Sequence, residues 1–270
     1  FFALQAGWQD RDFGSNGFYA AYNPDQWEHT STALASLRWL KTAGRFSLGA
    51  AASYRKNFDR YDWTRGTAMN RHNTDNAGAK LWADCRWAAG VTSVGGDWAF
   101  NHIYSTNLGE RLAVPEGHYT HAKARHTGNL WLRHAKQWRR FDAAASAGVS
   151  LTPYGTSALW SLSAGWTPAE GLHVGAGAWQ SMRLPTFTDL YYTSPAQINN
   201  LDLTPEHAVT YRLGLDYLKR CWSVSAQAYY RAGRDIIDWV WREDMDGKWH
   251  SEQSSRLDTY GIELAGGYTV

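Results

Sequence analysis

His118, His121 and His126 form the densest imidazole group in the chain, and an i, i+3 pair invites comparison with zinc or haem ligation. On a strand that spacing points the two rings to opposite faces, so His118 and His121 cannot hold one ion together there. Asp10, Asp12, Asp25, Asp59 and Asp62 offer the hard oxygens that Ca2+ requires, but EF-hand spacing is lacking, and solvated loop carboxylates are the better reading. Cys85 and Cys221 are too few for a disulfide framework and lack metal-ligand spacing; both are expected as free thiols. No nucleophile elbow, glycine-rich phosphate loop or carboxylate pair stands out among the 25 Asp and Glu. We therefore assign no catalytic residue, no metal and no cofactor, and expect a protein that is not an enzyme. What remains is recognition chemistry. Phe18, Tyr19, Tyr22, Trp27, Tyr61, Trp63, Tyr191 and Tyr192 are rigid rings in predicted loops, suited to a large amphipathic ligand at small entropic cost. Taken singly, each ring suits an interfacial girdle or loop packing still better.

The elements that must carry those loops are written in the composition. The chain has 270 residues, of which 16 are Trp, 15 Tyr and 9 Phe, while charged residues make up 19% against about a quarter in ordinary soluble domains. Mean hydropathy is nonetheless negative. Aromatic richness with a hydrophilic average suits strands with one oily and one wet face. A formal charge of +2 gives no sign of a nucleic-acid partner. No apolar run reaches the roughly 20 residues of a membrane-spanning helix, which leaves membrane-spanning strands open. The opening Phe-Phe-Ala-Leu reads as the end of a strand, so the chain is expected to be a fragment.

Period-two alternation recurs along nearly the whole length. Val209, Tyr211, Leu213, Leu215 and Tyr217 alternate with Thr210, Arg212, Gly214 and Asp216, and segments 46–55, 141–151, 222–231 and 260–269 behave likewise. About twelve strands are predicted. Short turns near 43–44, 89–90, 136–137, 168–171 and 219–220 alternate with long connections near 9–30, 58–73, 105–119, 184–205 and 243–255; only 152–156 is unexpectedly short. Trp39, Trp87, Trp138, Trp166, Tyr217 and Trp222 sit beside the short turns, as a girdle at a membrane interface requires. The wet face carries Arg38, Arg55, Lys80, Asp84, Arg86, Asp142, Arg212, Asp216, Arg231 and Glu263. Turned toward lipid, an Arg or Lys costs about 2–4 kcal/mol at the midplane, so these residues must face a lumen. The competing reading is a secreted carbohydrate-binding or carbohydrate-active β-protein, whose usually shorter strands give no reason for Trp beside each tight turn.

Arg183-Leu-Pro-Thr-Phe-Thr-Asp-Leu-Tyr-Tyr192, followed by Asn200-Leu-Asp-Leu-Thr-Pro-Glu206 and an alternating strand, resembles the TonB-dependent outer-membrane receptors, and the early Phe13-Gly-Ser-Asn-Gly-Phe-Tyr-Ala-Ala-Tyr-Asn-Pro-Asp25 segment is similar to those of vitamin B12 and siderophore receptors, especially Bacteroidetes members. The residues carrying the resemblance are Arg183, Pro185, Phe187, Asp189, Leu190, Asn200, Leu203, Pro205 and Glu206. The family form reads close to F-R-A-P-T-F-x-D-L-Y-Y and N-P-N-L-x-P-E; here Met182, Leu184, Leu201 and Asp202 depart from it mildly. The resemblance implies an antiparallel up-and-down transmembrane β-barrel in the bacterial outer membrane, with residues 1–270 forming part of a 22-stranded barrel domain whose plug and C-terminal strands are absent. It further implies outer-membrane lipid as surroundings, TonB as an energy-relaying partner through that plug, and uptake of a scarce nutrient such as iron or vitamin B12. A siderophore-like chelate or a corrinoid, captured by loops 9–30 and 184–205, is the expected ligand. Haem receptors of the family carry a His between the two motifs; residues 186–197 contain none.

Overall fold

The computed structural model describes residues 1–18 and 22–269. Its elements in chain order are β1 (Phe2–Gly14), β2 (Trp27–Ala43), β3 (Phe46–Thr64), β4 (Thr67–Trp87), β5 (Gly90–Ser105), β6 (Glu110–Glu116), β7 (Tyr119–Trp138), β8 (Phe141–Thr152), β9 (Gly155–Ala169), β10 (Leu172–Arg183), α1 (Phe187–Tyr191), β11 (Gln197–Ile198), β12 (Glu206–Lys219), β13 (Trp222–Arg242) and β14 (Lys248–Tyr268). Twelve long strands form one antiparallel wall in which each pairs with the next long strand in sequence. β6 is a short arm against β7, and the two-residue β11 lies parallel to β14. This is the up-and-down topology of a partial barrel.

Register and alternation together settle the two faces. Leu213 pairs with Ala176 and Ala228, while its neighbour Arg212 pairs with Gly177 and Tyr229. The oily face is bare: Leu213 is 57% exposed and Leu264 78%. A soluble monomer of this mass has a surface of about 11,800 Å2, whereas this chain exposes 17102 Å2. The excess arises because both faces of the wall lie open, the apolar outer one included, which excludes the sandwich, since a sandwich buries its apolar faces between two sheets.

The expected girdle is present. Trp87, Trp138, Trp166 and Trp222 are all about half exposed on the outward side, and Trp222 packs on Tyr268 at 4.8 Å. A second ring, not foreseen from the sequence, contains Tyr211 stacked on Tyr230, which pairs with Tyr260. From Trp222 to Tyr230 is about 26 Å along the strand, or about 20 Å of height after tilting, close to the apolar band of outer-membrane barrels. On the inner face Arg38 lies 5.6 Å from the Trp82 ring and Lys80 5.4 Å from the Trp131 ring. Gly49 and Gly95 make room for these indoles: a Cβ there would fall 2.1 Å and 2.4 Å from the rings.

Several connections differ from expectation. The 58–73 segment is a paired hairpin closed by Arg65-Gly66, with irregular register at Tyr61/Asp62. Its dense mixture of charged and aromatic residues hides the period, but backbone pairing does not need an oily face. Likewise 243–255 shrinks to 243–247, and 105–119 contains β6. The turn expected at 136–137 falls at Arg139-Arg140, because Trp138 still pairs with Phe141. Cys85 and Cys221 are free thiols.

Candidate functional site at the outer mouth

Above the second aromatic ring the strands continue beyond the apolar band, and three connections converge there. The 15–26 connection is tied down by its backbone: Ser15 N donates to Gln26 O at 2.9 Å and Gly17 N to Asn23 O at 3.1 Å. It docks on the β3–β4 hairpin, where Asn23 Nδ2 donates to Trp63 O at 2.6 Å and Arg65 N to Asp25 O at 3.1 Å. Tyr22 then meets Trp63 edge-on at 6.0 Å.

The third connection carries the recognisable motif. Thr186 caps α1 through a reciprocal capping box with Asp189, at 3.0 Å and 2.9 Å, so even a five-residue helix has its first donors satisfied. Leu190 and Leu203 bury against Ile237 of β13. Arg183 fastens the whole: it pairs with Glu206, approaches Asp189 at 3.5 Å and donates to Ile237 O at 3.4 Å. Glu206 accepts in addition from Ile237 N at 2.8 Å. Asn200 N bonds Asp189 O at 3.3 Å, Pro185 and Pro205 are buried, and Arg125 from β7 donates to Pro185 O at 2.7 Å with its guanidinium 5.0 Å from the Phe187 ring. The motif residues thus build a clamp that folds 184–205 into the mouth. Arg125 was not singled out by the sequence reading, because sixty residues separate it from the loop it holds.

Between these parts lies an open cavity of about 920 Å3 whose walls include Tyr22, Tyr61, Trp63, Tyr192 and Trp239. Its polar lining includes Asp59, Asn70, His72, Thr188 and Gln197. Burial pushes the Asp59 carboxyl up to about 6, helped by the charge of and a hydrogen bond with Glu28; burial also pushes His72 down to about 4. His72 Nδ1 is 2.8 Å from Ser105 Oγ. A shallower hollow of about 570 Å3 on the outward face, between Trp138, Leu162 and a row of alanines, lies within the apolar band.

Of the eight aromatics singled out for ligand recognition, Tyr22, Tyr61, Trp63 and Tyr192 meet in the mouth cavity. Trp27 does not: it lies under the Arg65 guanidinium, 3.8 Å away, and donates its indole N–H to Asp12. Tyr191 turns toward Lys123, which lies 5.9 Å from its ring, and Phe18 stands 81% exposed away from the cavity lining. Tyr19 lies outside the described residues. The five aspartates do not converge. Asp62 is held by Arg60 at 2.6 Å, which keeps its carboxyl below the ordinary range; Asp10 contacts His29 at 3.2 Å; and Asp59 alone lines the cavity. No group of three metal-ligating side chains occurs among the described residues. His121 contacts Thr106 O at 3.2 Å, whereas His126 stacks on Trp98 5.7 Å away.

A family model described as TonB dependent receptor-like, beta-barrel matches residues 2–269. The chain belongs to this family. One curated relative of this receptor barrel, the vitamin B12 transporter BtuB of Photobacterium profundum, is 27% identical over 119 residues, which are 43% of the chain and 19% of that protein. Among solved structures, the siderophore receptor PirA of Pseudomonas aeruginosa superposes with a TM-score of 0.73 at 13% identity, covering 97% of this chain and 49% of PirA. The FrpB iron transporter of Neisseria meningitidis gives 0.72 at 12% identity, covering 100% and 47%. At those identities the likeness concerns the fold. The chain spans about half the length of the solved receptors it matches. TonB-dependent receptor barrels reside in the outer membrane, where the two girdles and bare apolar band of this wall belong, and the relatives are transporters and receptors rather than enzymes.

Proposed function

We propose that residues 1–270 are part of the barrel domain of an outer-membrane receptor that binds a scarce metal chelate or cobalamin-type nutrient and imports it with energy relayed by TonB. The observation that carries this reading is the mouth cavity, formed where the 15–26 connection, the β3–β4 hairpin and the clamped 184–205 segment meet. Its volume and aromatic walls with a few convergent polar groups are those of a site for one bulky ligand. Tyr22, Trp63 and Tyr192 are the contact residues, with Phe18, Trp27 and Tyr191 around them at the mouth. Further strands complete a barrel of about 22 strands around a plug that contacts TonB. Binding is by shape and aromatic contact, passage is through the lumen once the plug rearranges, and no covalent chemistry is involved.

The test uses the full-length receptor in outer-membrane vesicles, with residues 16–24 replaced by a short Gly-Ser link that leaves the β1–β2 pairs intact. Binding of cyanocobalamin and of ferric hydroxamates is expected to be abolished while membrane insertion is retained. Unchanged affinity removes this connection from the site. Haem or maltodextrin as the tightest ligand overturns the ligand class.

A further inference from the structure

Among the described residues no lysine or arginine lines the cavity, and several cationic side chains around the mouth are engaged elsewhere. Arg60 is locked on Asp62 at 2.6 Å, Arg65 covers the Trp27 ring, and Lys123 is paired with Glu110. Arg125 is committed to Pro185 O, Arg183 to Glu206, and Arg242 to Glu252 at 3.0 Å. The described lining contains five aromatic rings and one carboxylate, Asp59, which shares a hydrogen bond with Glu28 behind it. The one imidazole of the lining, His72, is buried and directed to Ser105, and it stays neutral at physiological pH.

Among the described residues, an anion entering this cavity therefore meets Asp59, hydrogen-bonded to Glu28, and no lysine or arginine in the lining, in surroundings where partial burial weakens solvent screening. A ligand with exposed N–H or ammonium groups meets the acceptor Asp59 and walls that include Tyr22, Tyr61 and Trp63, a combination of carboxylate and aromatic rings suited to cations and amide donors. We propose that the mouth site selects neutral or cationic ligands rich in hydrogen-bond donors, such as an amide-bearing corrinoid or a cationic ferric hydroxamate, and rejects polyanionic catecholate or carboxylate chelates. Asp59, with Glu28 behind it, is the residue that sets this preference. The inference rests on the receptor reading above and narrows it.

The experiment measures equilibrium binding to the full-length receptor in detergent, by tryptophan quenching, at neutral pH. Three probes are used: neutral cyanocobalamin, and two smaller iron chelates of similar bulk and opposite charge, cationic ferrioxamine B and a trianionic ferric tris-catecholate. The catecholate is expected to bind about a hundredfold more weakly than the better of the other two, since opposing like charges across a contact costs several kcal/mol. Asp59→Asn is expected to narrow the gap between cationic and anionic probes by about tenfold while leaving cyanocobalamin within about threefold. Glu28→Gln, which keeps the hydrogen bond to Asp59, is expected to narrow it in the same direction and serves if Asp59→Asn assembles poorly. A catecholate that binds tightest, or a charge preference unmoved by both substitutions, overturns the charge rule and leaves the receptor reading standing. No binding of any probe to correctly inserted receptor, with Trp63→Ala indistinguishable from wild type, overturns the receptor reading and this inference with it.

Discussion

Arg183 holds three groups with one guanidinium, and the cost of losing it follows from what is left behind. Its partner Glu206 is 5% exposed and would retain only the Ile237 N–H, so Arg183→Met leaves a carboxylate short of its strongest donor. Because Arg183 itself is nearly half exposed, the expected cost is about 1–3 kcal/mol in docking of the 184–205 segment rather than the larger penalty of a fully buried pair. Faster amide exchange confined to 186–205, with wall strands unchanged, is the measurement that checks it. Asp59 and His72 titrate in opposite senses, with Glu28 and Tyr61 the other titratable groups on the same side of the hairpin base. The Asp59 carboxyl, raised from 3.8 to about 6, adds stability that is full at low pH and fades as pH rises through that interval. His72, lowered from 6.5 to about 4, adds stability that is full above its ordinary value and is lost as pH falls toward about 4. Between those limits the slopes offset, and exchange protection of hairpin 58–73 is expected to be nearly flat with pH. Asp59→Asn should make protection fall on acidification, and His72→Gln should make it fall as pH rises. A wild-type slope as steep as either variant's would reject the pairing.

At the scale of the strand, the face on which a residue lands decides what it may be. Leu213 stands outward within the apolar band and Arg212 inward, one residue apart. In the full-length receptor, Leu213→Arg is expected to reduce the folded, heat-modifiable fraction, since an arginine on the lipid face costs about 2–4 kcal/mol at the midplane and less at this height near the Tyr211 ring, while Arg212→Leu assembles normally. Equal yields of the two variants would overturn the register. Gly95 tests the inner face in a different way. A Cβ there would lie 2.4 Å from the Trp131 ring and 2.7 Å from Leu81 O, and the backbone carbonyl cannot swing aside as a side chain can. Gly95→Ala is expected to displace Trp131 from Lys80 at a cost of about 1–3 kcal/mol, visible as a shifted tryptophan emission and a lowered unfolding temperature.

For the molecule as a whole, the two outermost strands matter most. Among the described residues β1 pairs only with β2, and β14 pairs with β13 and, at two positions only, β11. Backbone groups left unpaired in hydrocarbon cost several kcal/mol each, so this wall is stable in a bilayer only when further strands close it. Residues 1–270 expressed alone are expected to remain in the urea-soluble or aggregated fraction, whereas the full-length receptor resists urea extraction from outer membranes. Recovery of the isolated segment as a urea-resistant, heat-modifiable species would contradict that closure requirement.

The alternation of Leu213 and Arg212, and the Trp beside each tight turn, were readable from sequence because a strand's side chains alternate with a fixed period and lipid penalises a charge on the wrong face. Fold class, strand number, wet face and inner girdle all follow from that local rule. The motif from Arg183 to Glu206 was also readable, but only as a resemblance; that its residues form a clamp emerged from Arg183, Glu206 and Ile237 meeting in space. Tertiary structure alone decided which ring faces the mouth. Trp27 and Trp63 are equally aromatic and both sit in predicted loops, yet hairpin pairing continues past the membrane and turns one outward and the other into the cavity. It likewise singled out Asp59 from five similar aspartates and brought in His72, Trp239 and Arg125. Proximity between strands distant in sequence leaves no local pattern, whereas the choice between lipid and water acts on every residue separately.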